Sequence, residues 1–519
     1  MTNWFYLFVL TLGLFTQVRA WVYRYHYYSL DEAKDMVYGP DGNIYVCGMS
    51  DNTNGYRDII VVSLTQAGAE RWVYRYNGPA NNHDVAWALV YGDDGNIYVA
   101  GHSFQSGSTP DFTIISLTLT GSERWVYTYN GAGNSYDFAF DIAYGNNQIY
   151  AVGRETDASG SAKGVIICLN TSGVFQWKYT FDGYLNATGY SIIYGGDGNV
   201  YATSYWNDMV VVSLTSGGVE NWVYRYNYKT PAPGFYCADC PHFITYGSDG
   251  NIYVGGYTDI TDYSVWDSIF TTVFSLTTAG SLRWQYNFYE GQATLGYDGA
   301  GDGIYQGGNF YFTTKSSDNG QLKIIAVNST TGARVWTYSY PWLSGYDYLY
   351  SIFLAGGFLY ATGNRGGGNY NDIVLFKVDP TNGAGNLVYT YDNGGSDVAY
   401  KGVCSATGNI YLAGGSDGTG EDFIVLGNVT TGIEESENTK SEPEFASRQN
   451  FKFSVLPNPF TSYTKVSGNS QNEILVYDIQ GRLMGRYKGN YIGEDLKPGV
   501  YFLKLDGSKL NPLKVLKIK

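Results

Sequence analysis

Histidine is scarce in this 519-residue chain, with four copies at His26, His83, His102 and His242. None sits in a His-Glu-x-x-His pair, and no Gly-x-Ser-x-Gly elbow occurs. The usual signatures of a zinc protease and of an α/β serine hydrolase are therefore missing. Charge is also sparse, at 15% of residues, with 47 Asp and Glu against 32 Lys and Arg and a net charge of −15. Such a surface repels nucleic acid and anionic membranes. The C-terminal 453–519 stretch is biased the other way, to about +5, which leaves about −20 on the rest. After residue 20 no apolar run approaches the ~20 residues of a membrane-spanning helix. The mature chain is thus expected to carry no membrane span. Cysteine is limited to Cys47, Cys168, Cys237, Cys240 and Cys404. The three isolated ones lie in strand-like contexts and read as small buried hydrophobes. Cys237 and Cys240 form a Cys-x-x-Cys in the longest insertion between repeats. One such pair cannot complete a zinc site, and His242 is the only nearby further ligand. In an exported protein a local disulfide stapling that loop is expected.

Aromatic residues (17%) and glycine (67 copies) are plentiful instead. One phrase recurs: WVYRYH from Trp21, RWVYRYNG from Arg71, RWVYTYNG from Arg124 and QWKYTFDG from Gln176. It returns as NWVYRYNY, RWQYNFYE, VWTYSYPW and LVYTYDNG, anchored at Trp222, Trp284, Trp336 and Leu387. Fixed spacing near 50 residues marks a repeat architecture. Trp72, Tyr74 and Tyr76 alternate with Val73 and Arg75, which puts the three rings on one face of a strand. The unit from His83 reads as four short strands. A Gly-Asp-Asp-Gly turn joins the first two, and Asp-Gly between apolar runs predicts a primed hairpin turn.

The second- and third-strand elements each recur eight times. The Trp/Tyr strand does too, but its first copy stands alone at Trp21, and the last unit lacks a fourth strand. A closed ring solves both problems. The expected fold is all-β, an eight-bladed β-propeller closed by its N-terminal strand. The expected layout is a signal peptide at 1–20, the propeller at 21–432, a linker at 433–452 and a small β-sandwich at 453–519. Residues 1–20 end in Val18-Arg19-Ala20, which suits signal peptidase. The linker is polar and charged. The C-terminal runs are short and broken by Pro-Asn-Pro, Gln-Gly and Pro-Gly.

An Asp precedes the first strand in seven units: Asp31, Asp84, Asp137, Asp239, Asp298, Asp347 and Asp397. Ala187 replaces it in the remaining unit. These are the metal-ligand candidates. Sevenfold repetition points instead to carboxylates that accept backbone N–H bonds and fix the turn between blades. The alternative is an acidic ring holding calcium, the sole cofactor considered. A second set, Asp58, Asp111, Asp208, Asp372 and Asp422, opens the third strand and reads as a turn device. The Gly-x-Asp-Gly hairpins lack the ligand run and closing Glu of an EF-hand. Tyr184, Tyr205, Trp206, Trp266 and Trp342 are candidate sugar-stacking residues, with core packing the simpler use. No catalytic or cofactor-binding residue is assigned.

Three resemblances follow from these residues. The run NGPANNHDVAWALVYGDDGNIYVAGHS, Asn77 to Ser103, resembles the bacterial β-propeller repeat family of exported proteins. That resemblance covers about 21–432 and implies the fold but no reaction. VNSTTGARVWTY, Val327 to Tyr338, resembles the tryptophan-docking motif of eight-bladed quinoprotein-like propellers. The dehydrogenases among those use adjacent cysteines and calcium; this chain has no adjacent cysteines, so the likeness implies geometry without the cofactor. At the C-terminus, Pro457, Asn458, Pro459, Tyr477, Asp478, Gly481, Gly499 and Tyr501 fall in order and spacing that resemble the type A sorting domain of type IX secretion substrates. This implies the type IX machinery as a partner, and secretion or cell-surface attachment. The expected function is an exported, non-enzymatic scaffold that binds an extracellular glycan or protein. The alternative is a secreted polysaccharide hydrolase or lyase with its site on one propeller face.

Overall fold

The computed structural model describes residues 20–427 nearly throughout, with gaps at 107–108, 182–186, 207, 228–235, 263–264, 289–298, 316–320, 341–346, 367–369 and 418–420. It also describes 428–429, and strands between 454 and 517. Residues 1–19, which include the body of the expected signal peptide, lie outside the description. The chain divides into two compact units, Met1–Asn438 and Thr439–Lys519. No described segment is a helix long and apolar enough to cross a membrane.

The first unit contains eight four-stranded antiparallel sheets. Blades 1 to 7 span 31–76, 85–129, 138–180, 188–226, 236–288, 300–340 and 348–391. Each begins with its innermost strand, and the innermost strands pack on one another in cyclic order, including Asp31–Tyr38 on Asp397–Cys404. Blade 8 takes three strands from 397–427 and its outermost from Trp21–Tyr25. That strand pairs antiparallel with Glu421–Gly427, Trp21 opposite Gly427 and Tyr25 opposite Phe423.

Local chemistry explains the repeated letters. In the hairpins with Asp-Gly, Asp41, Asp94, Asp197 and Asp249 accept the hydroxyls of Tyr45, Tyr98, Tyr201 and Tyr253 at 2.5–2.7 Å. These tyrosines are fully buried, so the turn supplies the partner that burial would otherwise remove. The turns themselves differ from expectation. In Gly92-Asp93-Asp94-Gly95 only Gly95 has positive φ, as in a type I turn closed by a left-handed glycine. The primed pattern occurs where two left-handed residues are adjacent, at Asn146-Asn147, Gly307-Gly308 and Gly356-Gly357.

The tryptophans join neighbouring blades. Trp21 Nε1 donates to Gln66 O of blade 1 at 3.2 Å, and Trp72 Nε1 to Leu119 O of blade 2 at 2.9 Å. Five further tryptophans, through Trp336 to Pro380 O, repeat the bond. Each indole covers a left-handed glycine in the turn it reaches; a Cβ at Gly68 would fall 2.4 Å from the Trp21 ring. Leu387 breaks the series for a structural reason. Its neighbour, blade 8, has no turn between third and fourth strands, because its fourth strand comes from the N-terminus.

The second unit contains a three-stranded sheet (Ser454–Leu456, Thr464–Ser467, Tyr491–Ile492) and a four-stranded one (Ile474–Asp478, Leu483–Tyr487, Gly499–Leu505, Leu513–Lys517). Ile492 of the first shares one apolar cluster with Ile474, Val476 and Leu503 of the second.

Candidate functional site

The repeated Asp residues are spent on the connections into each blade. Asp84 accepts the N–H groups of Gly78 (2.6 Å) and Phe104 (2.9 Å), and Asp137 those of Gly131 (2.7 Å) and Thr156 (2.6 Å). Asp31, Asp347 and Asp397 accept from Tyr27, Gly366 and Asn393. All five, and Asp239, are buried; Asp298 lies outside the described residues. Burial, only partly opposed by the hydrogen bonds, raises Asp84 and Asp397 to about 6. Among the described residues no three Asp, Glu, His or Cys side chains gather as a metal site. In the second Asp set, Asp58 pairs with Arg75 and Asp422 with Arg24 of outermost strands at 2.6 and 2.9 Å, Asp208 accepts from Asn227 at 2.7 Å, and Asp372 pairs with Arg365 of its neighbouring second strand at 3.4 Å.

The cysteine expectation is corrected. Cys237-Ala-Asp-Cys240 begins the innermost strand of blade 5, Tyr236–Tyr246, rather than a loop. Cys240 is a buried free thiol. Three residues of extended chain separate Cα atoms by about 10 Å, and a disulfide needs less than about 7 Å.

Unrepeated chemistry appears three residues beyond each repeated Asp, where the innermost strands are irregular. The pairing register shifts between Ala33 and Asp35, Ala86 and Ala88, and Ala139 and Asp141, and at the matching place in every blade. A β-bulge adds a residue and re-aims its side chain. The extra residues are Lys34, Trp87, Phe140, Tyr190, His242, Gly301, Tyr350 and Tyr400. Six of them make a continuous arc across blades 7, 8, 1, 2, 3 and 4. Tyr350 meets Tyr400 at 5.1 Å between ring centroids, Trp87 meets Phe140 at 6.3 Å, and Phe140 meets Tyr190 at 6.4 Å. Lys34 Nζ bridges the arc, 4.6 Å from the Tyr400 ring centre and 5.5 Å from that of Trp87. All six side chains are partly exposed. Trp87 Nε1 donates to His102 Nδ1 at 3.2 Å, and burial lowers His102 to about 3, which keeps the ring neutral and so able to accept.

One residue deeper sit Asp35, Asp141, Asp302 and Lys401. Each carboxylate ties its own strand to the next blade: Asp35 accepts Leu89 N–H (3.0 Å), Asp141 Ile192 N–H (2.9 Å) and Asp302 Ile352 N–H (3.1 Å). Lys401 Nζ lies 3.7 Å from Asp35. Burial raises Asp141 to about 6.

The seam between blades 8 and 1 adds two carboxylates. Glu32, 5% exposed, pairs with Lys34 at 2.6 Å and accepts the Tyr400 hydroxyl. Glu421 lies beside it: a Cβ on Gly415 would be 3.2 Å from Glu421 Oε1 and 3.3 Å from Glu32 Cγ. Burial, then the Glu32 charge, raises Glu421 to about 7.

Of the stacking candidates, Tyr205 joins the arc edge-on to Tyr190 at 6.4 Å. Tyr184 and Trp342, and the side chains of Trp206 and Trp266, lie outside the described residues. In the second unit Tyr477 and Asp478 pair with Phe502 and Tyr501, and the Tyr501 hydroxyl donates to Lys497 O at 2.8 Å. Pro457, Asn458, Pro459 and Gly481 are outside the description; Gly499 opens a strand.

Residues 454–519 match the family model of the secretion system C-terminal sorting domain. The domain is of the type IX kind and marks the protein for secretion or cell-surface attachment. No curated protein matches the chain. Among solved structures it is similar to the Dos1 propeller (10% identity, 81% of this chain and 97% of that one, TM-score 0.48). It is also similar to a europium-containing methanol dehydrogenase (12%, 78% and 93%, 0.45) and to a periplasmic gluconolactonase of Pseudomonas aeruginosa (14%, 68% and 98%, 0.41). At these values none carries an argument about activity; the eight-bladed architecture stands on the sheets and their cyclic packing.

Proposed function

We propose that the propeller is a non-enzymatic extracellular binding module, exported by a signal peptide cleaved after Ala20 and by the type IX machinery, and presenting one end of its ring to a ligand. In an antiparallel blade, the connections before the first strand and between second and third strands share one end. All five exposed tyrosines among the described residues lie there: Tyr27, Tyr28, Tyr56, Tyr136 and Tyr370. The opposite end is built of the repeated turns. Among the described residues Phe175 is the one exposed large aromatic at that opposite end, against five tyrosines here; this imbalance carries the reading, because exposed aromatics supply contact area at small entropic cost. A glycan array with the mature protein, paired with reducing-sugar release, tests it. Ligand retention without turnover is the expected result, and turnover of any polysaccharide refutes it.

The hydrolase alternative has one observation in its favour, the Glu32 and Glu421 pair, with an acid held protonated near neutrality beside a second carboxylate. Sugar release abolished by Glu421→Gln would establish it.

A further inference from the structure

We propose that the axial arc of Tyr350, Tyr400, Lys34, Trp87, Phe140 and Tyr190 is a carbohydrate-binding collar, taking a neutral sugar chain. The inference rests on the binding-module reading and names its ligand class. Two adjacent layers must be satisfied by one ligand. The outer layer is aromatic, with rings left partly exposed although the neighbouring core is fully buried. The inner layer holds Asp35, Asp141, Asp302 and Lys401. An apolar ligand would strip water from those charges without replacing its hydrogen bonds. A polyanion would meet Glu32, Asp35, Asp141 and Asp302 against Lys34 and Lys401, on a chain of net charge −15. A polycation would compete with Lys34 and Lys401, which already sit on Glu32 and Asp35.

A pyranose fits both layers. Its C–H face stacks on a ring, and its hydroxyl rim donates to fixed carboxylates: Asp35 already accepts from Met36 and Leu89, Asp141 from Ile142, Ser191 and Ile192, and Asp302 from Gly303 and Ile352, which leaves lone-pair capacity on Oδ1 of each. Lys34 Nζ, pinned between Tyr400 and Trp87 by Glu32, is a donor at the centre of the arc. Among the described residues the aromatic arc is not continued over blades 5 and 6. Gly301 carries no side chain there, since a Cβ would fall 2.1 Å from Leu349 O. His242 turns to Ala300 O at 2.8 Å and lies edge-on to Tyr257.

The test is calorimetric titration of the full chain with cellohexaose, xylohexaose, mannohexaose, laminarihexaose and hexalysine. At least one hexasaccharide should bind. Trp87→Ala and Phe140→Ala should each weaken it roughly tenfold, the worth of one stacked ring pair, while Trp87→Phe retains most of the affinity. Val219→Ser, at the repeated-turn end, should change nothing, and melting curves identify any variant that fails to fold. Binding by no hexasaccharide, or preference for hexalysine, overturns the collar. If sugar binding survives Trp87→Ala and Phe140→Ala but is lost in Tyr27→Ala or Tyr370→Ala, the collar falls and the binding module stands. Sugar release overturns the module itself.

Discussion

Truncating Trp21–Tyr25 should open the ring, and its cost can be bounded from Trp21 alone. The indole packs against Gly68 and Gly427 and stacks obliquely on Tyr411 at 6.0 Å. Its N–H bonds Gln66 O, and Tyr23 OH adds a bond to Glu70 at 2.6 Å. A fully buried Trp→Ala costs about 3–5 kcal/mol; Trp21 is partly exposed, so about 3 kcal/mol is appropriate. Unfolding entropy near 2.1 cal/mol/K per residue over about 410 residues is about 0.9 kcal/mol/K. Trp21→Ala should therefore lower the melting temperature by about 3 °C, and deleting the strand by more. Deletion also bares the edge of Glu421–Gly427 and removes Arg24, the ion-pair partner of Asp422. Calorimetry on the mature protein, the N-terminal deletion and a chain ending at residue 438 provides the comparison. The last should leave the propeller transition within about 1 °C, because its core lies wholly within the first unit. Equal shifts for the two truncations would refute ring closure by this strand. Hydrogen exchange gives a second readout: Trp21→Ala should deprotect Phe423–Gly427 before other sheets, since no hairpin tethers this strand.

Other consequences follow from the same contacts. Leu387→Trp should not stabilise the ring and should cost about 1–3 kcal/mol by overpacking, because blade 8 offers no turn carbonyl; stabilisation in a melting assay would count against the explanation of the broken series. Gly68→Ala meets both a φ of +81° and the Trp21 indole, and should cost about 2 kcal/mol by chemical denaturation. Glu421 has a folded pKa of about 7 against 4.5 for an ordinary glutamate. The native form then holds a proton between those values that the unfolded chain has lost, so its stabilising contribution is full below pH 4.5 and lost as pH rises through 7. A shift from 4.5 to about 7 is worth about 3.4 kcal/mol at full strength; with Glu421 partly exposed and screened by solvent, the wild type should lose about 2 kcal/mol relative to Glu421→Gln between pH 4.5 and 8, and parallel stability curves would remove the proposed proximity to Glu32. His102 has the opposite sign. Its pKa is lowered to about 3, so its contribution is present above pH 6.5 and lost as acid protonates it; His102→Gln should flatten that limb in a pH-dependent melt.

Much of this architecture is legible from the chain. Period-two aromatics, Asp-Gly turns and a spare Trp/Tyr phrase at Trp21 specify blades, their number and their closure, because each is a local pattern repeated until the count itself becomes evidence. The sorting-domain match likewise rests on short ordered motifs. The Cys237–Cys240 staple failed because the sequence does not show where a strand begins. The arc was in principle visible: aligning the units on the repeated Asp places Trp87, Phe140, Tyr190, Tyr350 and Tyr400 in one column. Its importance was hidden because variation in a repeat looks like loss of signal.

What the sequence determined by itself is the scaffold, since hydrogen-bonding turns and alternating side chains act over a few residues. What only tertiary structure decided is which unrepeated residues meet. Lys34 and Tyr400 are far apart in the chain and become neighbours because a ring joins its ends. A bulge in every innermost strand then turns that column toward the axis, where aromatic faces and carboxylates from separate blades share one surface.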